Sequence, residues 1–142
     1  LMKPYIVDRM EYGNGRVVKT EPQAIRQVVS ARTASLVSGM LVSVVENGHG
    51  KKAGVPGYYV AGKTGTAQIP NDKGPGYLTG EGSTIGTFAG FAPVNDPRFV
   101  MVTRVDRPKD AVYAETTAAP LFGDIAKFLL QYYEIPPTRQ VK

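Results

Sequence analysis

The chain has 142 residues, 42% of them hydrophobic, which is enough for one globular domain with its own core. Its net charge of +5 comes from scattered lysines and arginines, and the absence of a basic stripe interleaved with aromatic residues predicts no nucleic-acid partner. Because cysteine is absent, a disulfide framework, a thiol nucleophile and cysteine metal sites are excluded. With Leu1 in first position and no secretion signal, we expect the chain to be a piece of a longer protein.

The first part of the sequence predicts a hairpin and then a helix. Residues 5–11 are β-prone, and a Gly-Asn-Gly turn at 13–15 leads into a second short run at 16–18. From Ser30 onward, apolar residues recur at three- and four-residue steps, which is typical of an amphipathic helix. Ser30 is the expected N-cap, and Gly48 is expected to close the helix in the left-handed conformation.

Three strands are predicted next. The β-branched and aromatic run that begins at Tyr58 continues through residues 63–68. Residues 69–83 hold two prolines and four glycines without an apolar period, so we expect a long mobile loop. Residues 84–91 and 99–105 form two further strands joined by a Pro-containing turn, and the second is apolar enough to be buried on both faces.

A final helix is predicted before Pro136, which cannot continue it. Its expected buried face consists of the bulky apolar residues Leu121, Ile125, Phe128, Leu129 and Tyr132. Because the strands follow one another instead of alternating with helices, the predicted fold class is α+β, an antiparallel β-sheet flanked by helices.

The glycine-rich segment around Lys63 satisfies a nucleotide-binding pattern. Gly57, four further residues, Gly62, Lys63 and Thr64 spell the phosphate-loop pattern in full. A phosphate loop needs a helix that opens at the lysine, so that its amides and dipole face the phosphates. Here the residues between the glycines are strand-like, and Gly65 interrupts any helix after the lysine. The context therefore favours a strand over nucleotide binding.

The stretch Val60 to Gln68, with the sequence VAGKTGTAQ, resembles the substrate strand of penicillin-binding protein transpeptidases. Other segments are similar in order and spacing: Lys3 to Val7, Val44 to Gly48, Phe88 to Pro93, and Ala118 to Phe122. The resemblance points to the class B, or monofunctional, branch, which acts in cell elongation or division. It implies that residues 1–142 are the C-terminal portion of a single transpeptidase domain built on an antiparallel five-stranded sheet.

The resemblance also implies a reaction and a role for each residue of the strand. The parent enzyme would cross-link peptidoglycan stem peptides that end in D-Ala-D-Ala, through an acyl-enzyme. Lys63 would help move protons around the nucleophile, and the Thr66 backbone N–H would be an oxyanion-hole donor. The hydroxyls of Thr64 and Thr66 would bind the substrate carboxylate. Gly65 would leave room for a peptide that pairs with the strand edge, and Gln68 completes the expected substrate-binding set.

Two elements of the family pattern do not occur in this sequence. The family's nucleophile lies in Ser-x-x-Lys and its second element is Ser-x-Asn, and none of the five serines has either context. The resemblance therefore implies that the missing N-terminal portion of the domain is a partner, and that this chain is inactive alone. Further implied partners are β-lactam antibiotics and the elongation or division machinery.

The resemblance implies no cofactor and no metal. The only histidine, His49, lies in a glycine-rich turn, where a solvated residue is expected, and the acidic residues lack metal-ligand spacing. The implied location is the periplasm or the outer face of the cytoplasmic membrane, with the anchor outside this chain. Two alternatives remain open. A β-lactamase or β-lactam sensor of the same fold uses the same Lys-Thr-Gly triplet, and a non-catalytic binding module would need no serine.

Overall fold

The computed structural model describes residues 1–140, which divide into two compact units, residues 1–35 and the residues from 36 onward. In the first unit, strands β1 (Arg9–Glu11) and β2 (Val17–Lys19) pair antiparallel, with Met10 opposite Val18. The predicted hairpin is confirmed, although its first strand is shorter than the β-prone run at residues 5–11 and its second lies one residue later than predicted.

Helix α1 spans Ala31–Asn47 and begins where the sequence predicts. The Thr33 N–H donates to Ser30 Oγ at 3.1 Å, which confirms the N-cap. The prediction for Gly48 is wrong, because this residue is not among the glycines with positive φ. Its N–H donates to the Val44 carbonyl, and an added Cβ would lie 3.0 Å from that oxygen. A larger residue at position 48 would therefore require the backbone to shift by a few tenths of an ångström.

The second unit is built on a three-stranded antiparallel sheet in the order β3-β4-β5. The strands are β3 (Ala61–Gln68), β4 (Thr84–Ala92) and β5 (Phe99–Asp106). The two later strands confirm the predicted ones. The predicted strand start at Tyr58 is wrong, because a turn at Gly57, with φ of 87°, delays the pairing until Ala61.

Helix α2 (Ala118–Tyr132) packs against one face of this sheet. The rings of Phe88 and Phe122 meet at 4.7 Å between centroids, and both side chains are fully buried. The predicted buried face of the helix is wrong, because Phe128 is 61% exposed. The buried side is Ala119, Phe122, Gly123, Ala126 and Leu130. Small residues allow the helix to approach its neighbours closely, and a pattern of bulky residues misses them.

The opposite face of the sheet is open to solvent. Val100 and Val102 of β5 are 79% and 65% exposed, so the prediction that this strand is buried on both faces is wrong. Val102 aligns with Ala89 of β4 and, through it, with Lys63 of β3, so these three residues share the open face. Hereafter the covered face means the side that packs on α2, and the open face means the side of Val102.

Residues 69–83 form no regular element but make their own hydrogen bonds. The Leu78 N–H donates to the Ile69 carbonyl at 2.8 Å, and the Asn71 N–H donates to the Gly76 carbonyl at 3.0 Å. The predicted loop is confirmed, and its mobility stays a prediction. No helix within residues 1–140 combines the length and the apolar character needed to cross a bilayer.

Candidate active-site strand

Strand β3 is an edge strand, and it carries every residue singled out for substrate binding. Within residues 1–140, β4 is the only strand that pairs with it, in a continuous register from Ala61 opposite Phe91 to Gln68 opposite Thr84. Along an edge strand, alternate residues turn their N–H and C=O groups away from the neighbouring strand. A row of backbone donors and acceptors is therefore available for an extended ligand. The predicted strand and its free edge are confirmed.

The extended conformation of β3 also excludes a phosphate loop. Residues 61–68 are extended throughout, so no helix opens at Lys63 or Thr64. The N–H groups of this segment are arranged in a β-ladder, and they do not converge as the amides of a helix N-terminus do. The interpretation of the Gly-Lys-Thr string as a strand is therefore confirmed.

The Lys63 ammonium lies over the edge of its own strand. Its Nζ donates to the Thr64 carbonyl oxygen at 2.9 Å and to Thr64 Oγ1 at 3.3 Å. Side chains of adjacent strand residues leave opposite faces, so the lysine stem must bend around the strand to reach this hydroxyl. Since β4 occupies one edge, the path runs over the free edge. The Lys63 ammonium therefore places a positive charge at the free edge of β3, next to Thr64, where it can attract an anionic group of a bound ligand.

Thr66 is fixed by a contact that sequence reasoning missed. Its Oγ1 accepts a hydrogen bond at 3.1 Å from the N–H of Ala114, a fully buried residue in the 3₁₀ turn Ala114–Thr116 just before α2. Accepting this bond leaves the Thr66 hydroxyl proton free to be donated elsewhere. The turn thus holds Thr66 in an orientation that suits a donor to a carboxylate. The two residues are 48 positions apart, and no local pattern signals their contact.

Gly65 and Gln68 complete the strand. A Cβ on Gly65 would lie 2.7 Å from Thr87 Oγ1, which donates to the Gly65 carbonyl at 3.2 Å. Thr87 is a second neighbour that the sequence did not reveal. Gln68, at the end of β3, is exposed and lies opposite Thr84, whose hydroxyl donates to the Val112 carbonyl at 2.8 Å. Residues 112–116 therefore line the distal end of the strand.

The remaining polar candidates do not join this strand. His49 Nδ1 lies 2.9 Å from Glu115 Oε2, with the imidazole 84% exposed. The expectation of a solvated turn residue is confirmed, although its ring nitrogen lies within hydrogen-bonding distance of Glu115. Within the described part of the chain, no three His, Asp or Glu side chains are grouped in a way that could hold a metal ion.

Comparison with known proteins assigns the chain that carries this strand to a family. The family model described as "Penicillin binding protein transpeptidase domain" matches residues 1–127. Stage V sporulation protein D of Bacillus subtilis is 41% identical over 87% of this chain and 19% of its own length. Penicillin-binding protein PbpB of Mycolicibacterium smegmatis is 39% identical over 94% of this chain and 22% of its own length. The chain thus spans about a fifth of the length of these curated relatives.

Solved structures agree with the sequence relatives. The crystal structure of penicillin-binding protein 3 from Mycobacterium tuberculosis complexed with ampicillin is 33% identical, with a TM-score of 0.80 over 94% of this chain and 31% of that one. The apo transpeptidase domain of penicillin-binding protein 3 from Burkholderia pseudomallei is also 33% identical, with a TM-score of 0.71 over 84% of this chain and 35% of that one. The chain belongs to the penicillin-binding protein transpeptidase domain family, in its class B branch.

Proposed function

We propose that this chain is the C-terminal portion of a serine-type D-Ala-D-Ala transpeptidase domain and supplies its substrate-binding strand. The observation that carries the proposal is the edge strand β3, which has a free edge and presents Lys63, Thr64 and Thr66 along it. The printed name "Peptidoglycan D,D-transpeptidase FtsI homolog" of a relative from Mesostigma viride, 30% identical over 97% of this chain, supports the same reaction.

The edge offers three kinds of interaction that such a substrate needs. An extended stem peptide would pair with the backbone of β3 as an added strand. Its terminal carboxylate would accept hydrogen bonds from the Thr64 and Thr66 hydroxyls, beside the Lys63 ammonium. The Thr66 N–H would donate to the oxyanion as the carbonyl is attacked. Gly65 leaves the open face of the strand bare next to Lys63, and Gln68 would contact the substrate further along the edge.

The nucleophile must come from outside this sequence. A serine attacks only when an adjacent base takes its proton, and no serine here stands three residues before a lysine. Lys63 leaves the strand on the open face, the one on which Val102 is exposed. An N-terminal portion that covered this face would both bury the valines and bring its serine to Lys63. The open face therefore supports a half-site completed by the rest of the domain.

The proposal extends to partners and location. Ampicillin and aztreonam complexes of a similar protein support β-lactams as ligands of the completed site. Peptidoglycan lies outside the cytoplasm, so we infer that the parent protein lies in the periplasm or on the outer face of the cytoplasmic membrane. Membership of the class B branch favours work with the elongation or division machinery.

Labelling with a fluorescent penicillin tests the half-site. The longer protein that contains this chain should form one heat-stable covalent adduct, and mass spectrometry should locate it on a serine outside residues 1–142. The 142-residue chain alone should form none. An adduct on a residue of the chain would contradict the half-site, and Thr66 would be the first position to inspect. Rapid turnover of a chromogenic β-lactam by the longer protein would instead show a β-lactamase.

Substitution of Thr66 tests its role within the longer protein. Thr66→Val removes both the acceptor for the Ala114 N–H and the proposed donor to the carboxylate. Loss of a hydrogen bond to a charged group costs about 1.5–3 kcal/mol, so the acylation rate should fall roughly 10- to 100-fold. Thr66→Ser keeps the hydroxyl and should stay within about threefold of the original rate. Equal rates for the two variants would remove the Thr66 hydroxyl from the site.

A further inference from the structure

The segment after α2 turns back and contacts the entrance of β3. The Tyr58 hydroxyl donates to the Ile135 carbonyl at 2.6 Å. The N–H groups of Thr138 and Arg139 both donate to the Gly57 carbonyl, at 2.9 and 3.1 Å. Between these anchor points lie two consecutive prolines, whose fixed φ angles limit the ways in which the segment can move. We call residues 135–139 the C-terminal clasp.

The side chain of Arg139 adds a second attachment. Its Nη1 donates to Glu46 Oε2 at 2.9 Å, and its guanidinium lies over the Tyr59 ring, 4.6 Å from the centroid. The two charged side chains are 30% and 32% exposed, so solvent screens this pair less than a fully exposed one. The hydrogen bond to Glu46 raises the pKa of Arg139 above its ordinary value, against the opposing effect of burial, so the guanidinium stays charged. One side chain thus links the end of α1 to the residue two positions before β3.

These contacts lie just before the point at which β3 begins to pair with β4. The clasp contacts Gly57, Tyr58 and Tyr59, and the pairing with β4 begins two residues later at Ala61. Lys63 lies four residues after Tyr59, at most about 13 Å away, so a displacement at Tyr59 would reach it through a short stretch of backbone that enters β3 at Ala61. On its other side, the entrance is held by the Val94 N–H, which donates to the Tyr59 carbonyl at 3.0 Å.

Ile135 anchors the clasp by packing against the core, and the rest of the clasp is held by the hydrogen bonds and the Arg139 contacts described above. A cleft of about 880 Å³ opens between it, the end of α1 and the turn at residues 54–57, and its lining includes Val45, Glu46, Tyr59 and Arg139. Because the guanidinium lines this cleft, its removal should loosen the Arg139 end of the clasp without opening a cavity in the core, while the hydrogen bonds to the Ile135 and Gly57 carbonyls remain. Arg139 can therefore be changed while Phe88, Phe122 and the rest of the core stay in place.

We propose that the C-terminal clasp positions the substrate strand, and that Arg139 is its principal positioning residue. The proposal rests on the proposed transpeptidase function, since the strand it positions is the one that would bind the stem peptide. Arg139 touches no substrate in this account. It acts through Tyr59 and Gly57 on the placement of Lys63 and of the edge that follows.

The test compares variants of the longer protein that contains this chain. Arg139→Ala removes both side-chain attachments, whereas Arg139→Lys keeps the charge but cannot stack a planar guanidinium on Tyr59. The exchanged pair Glu46→Arg with Arg139→Glu restores the ion pair alone. Arg9→Ala is the matched control, because Arg9 also pairs with a carboxylate, Glu11 at 2.7 Å, but lies in the β1–β2 hairpin.

Two measurements separate positioning from a general loss of stability. The first is the maximal rate of acylation by a fluorescent penicillin, and the second is hydrogen exchange of peptides that cover residues 61–68 and 99–106. Arg139→Ala should slow acylation about tenfold, since small misplacements of reacting groups have effects of this size or more. It should speed exchange in residues 61–68 and leave residues 99–106 unchanged. The lysine variant and the exchanged pair should each recover part of the rate, and the control should match the original protein.

Acylation of Arg139→Ala at the original rate would overturn the proposal, as would an equal rise of exchange in both peptides. If the original protein is not acylated at all, the proposed function fails. Hydrogen exchange still decides whether the clasp holds the strand.

Discussion

The two faces of the three-stranded sheet differ in what covers them, and both carry residues of the candidate site. Thr64 aligns with Phe88, which is buried under α2, so the threonines leave the covered face. Lys63 leaves the open face, on which Val102 is exposed. Because successive strand residues alternate between faces, one position along β3 separates contact with the folded core from contact with solvent. The two threonines are thereby turned toward the side of α2, where the Ala114 N–H holds Thr66, and the lysine is directed to the side left open.

The largest expected effect is a loss of stability, and it distinguishes the two sides of α2. Phe122 is fully buried against Phe88, so Phe122→Ala should lower the free energy of unfolding by about 3–5 kcal/mol. Phe128 lies on the same helix but is mostly exposed and stacks on Tyr132 at 5.8 Å, so Phe128→Ala should cost about 1 kcal/mol or less. Urea unfolding of the 142-residue chain measures both. A loss of stability for Phe128→Ala as large as that for Phe122→Ala would contradict this structure, because it would mean that Phe128 is buried as the pattern of bulky residues predicts.

The next effect concerns two glycines of β3 that lie on opposite faces. A Cβ on Gly62 would lie 2.4 Å from the Phe88 ring and 2.9 Å from the Ala89 carbonyl oxygen. Neither the buried ring nor the paired backbone can yield easily, so Gly62→Ala should cost about 1–3 kcal/mol. At Gly65 the obstacle is the hydroxyl of Thr87, at 2.7 Å. Rotation of that side chain would give up the single hydrogen bond to the Gly65 carbonyl, so Gly65→Ala should cost about 1 kcal/mol.

The same unfolding experiment compares the two alanine variants. In the longer protein, the rate of acylation by a fluorescent penicillin should follow the opposite order. Among the molecules that remain folded, Gly65→Ala should slow acylation more than Gly62→Ala does. Gly65→Ala places a methyl group on the substrate strand itself, whereas Gly62 faces the core. If Gly65→Ala lowered the free energy of unfolding more than Gly62→Ala, the tighter packing would lie on the open face, contrary to this structure.

The elements that could be predicted from sequence are those fixed by neighbouring residues. The Ser30 cap, the Gly-containing turn of the hairpin and the strand at residues 84–91 each depend on residues within a few positions, and all three were predicted correctly. The Lys63 strand was found from its motif, because the flanking residues favour extended backbone over a helix. These signals fix the type of each element better than they fix the faces it buries.

What could not be predicted depends on contacts between distant positions. The buried side of α2 contains alanines and a glycine, which add little to an apolar pattern yet allow the helix to lie close to its neighbours. Thr66 is held by Ala114, 48 positions away, and Gly65 by Thr87, 22 positions away. The exposure of Val102 depends on what covers the sheet, which no feature of β5 itself specifies.

The smallest change in stability is expected for a substitution on the open face, and this change separates the two faces most clearly. In the 142-residue chain, Val102→Asp places a carboxylate where the side chain is already 65% exposed, so the free energy of unfolding should change by about 0.5 kcal/mol or less. Its neighbour Thr103 supplies the matched control, because its side chain lies on the covered face and its hydroxyl donates to the Ala118 carbonyl at 2.8 Å. Thr103→Asp should destabilise the chain strongly, since it would bury a carboxylate beside a carbonyl oxygen.

In the longer protein the same Val102→Asp substitution should become costly. An N-terminal portion that covers the open face would bury position 102, and an unpaired carboxylate there should lower the thermal unfolding midpoint and reduce the fraction of protein that is acylated by penicillin. The contrast between a neutral change in the chain and a damaging one in the longer protein is the expected signature of a completed half-site. A substitution that is equally mild in both would mean that this face stays open to solvent. The serine would then have to reach Lys63 from the free edge of β3 alone.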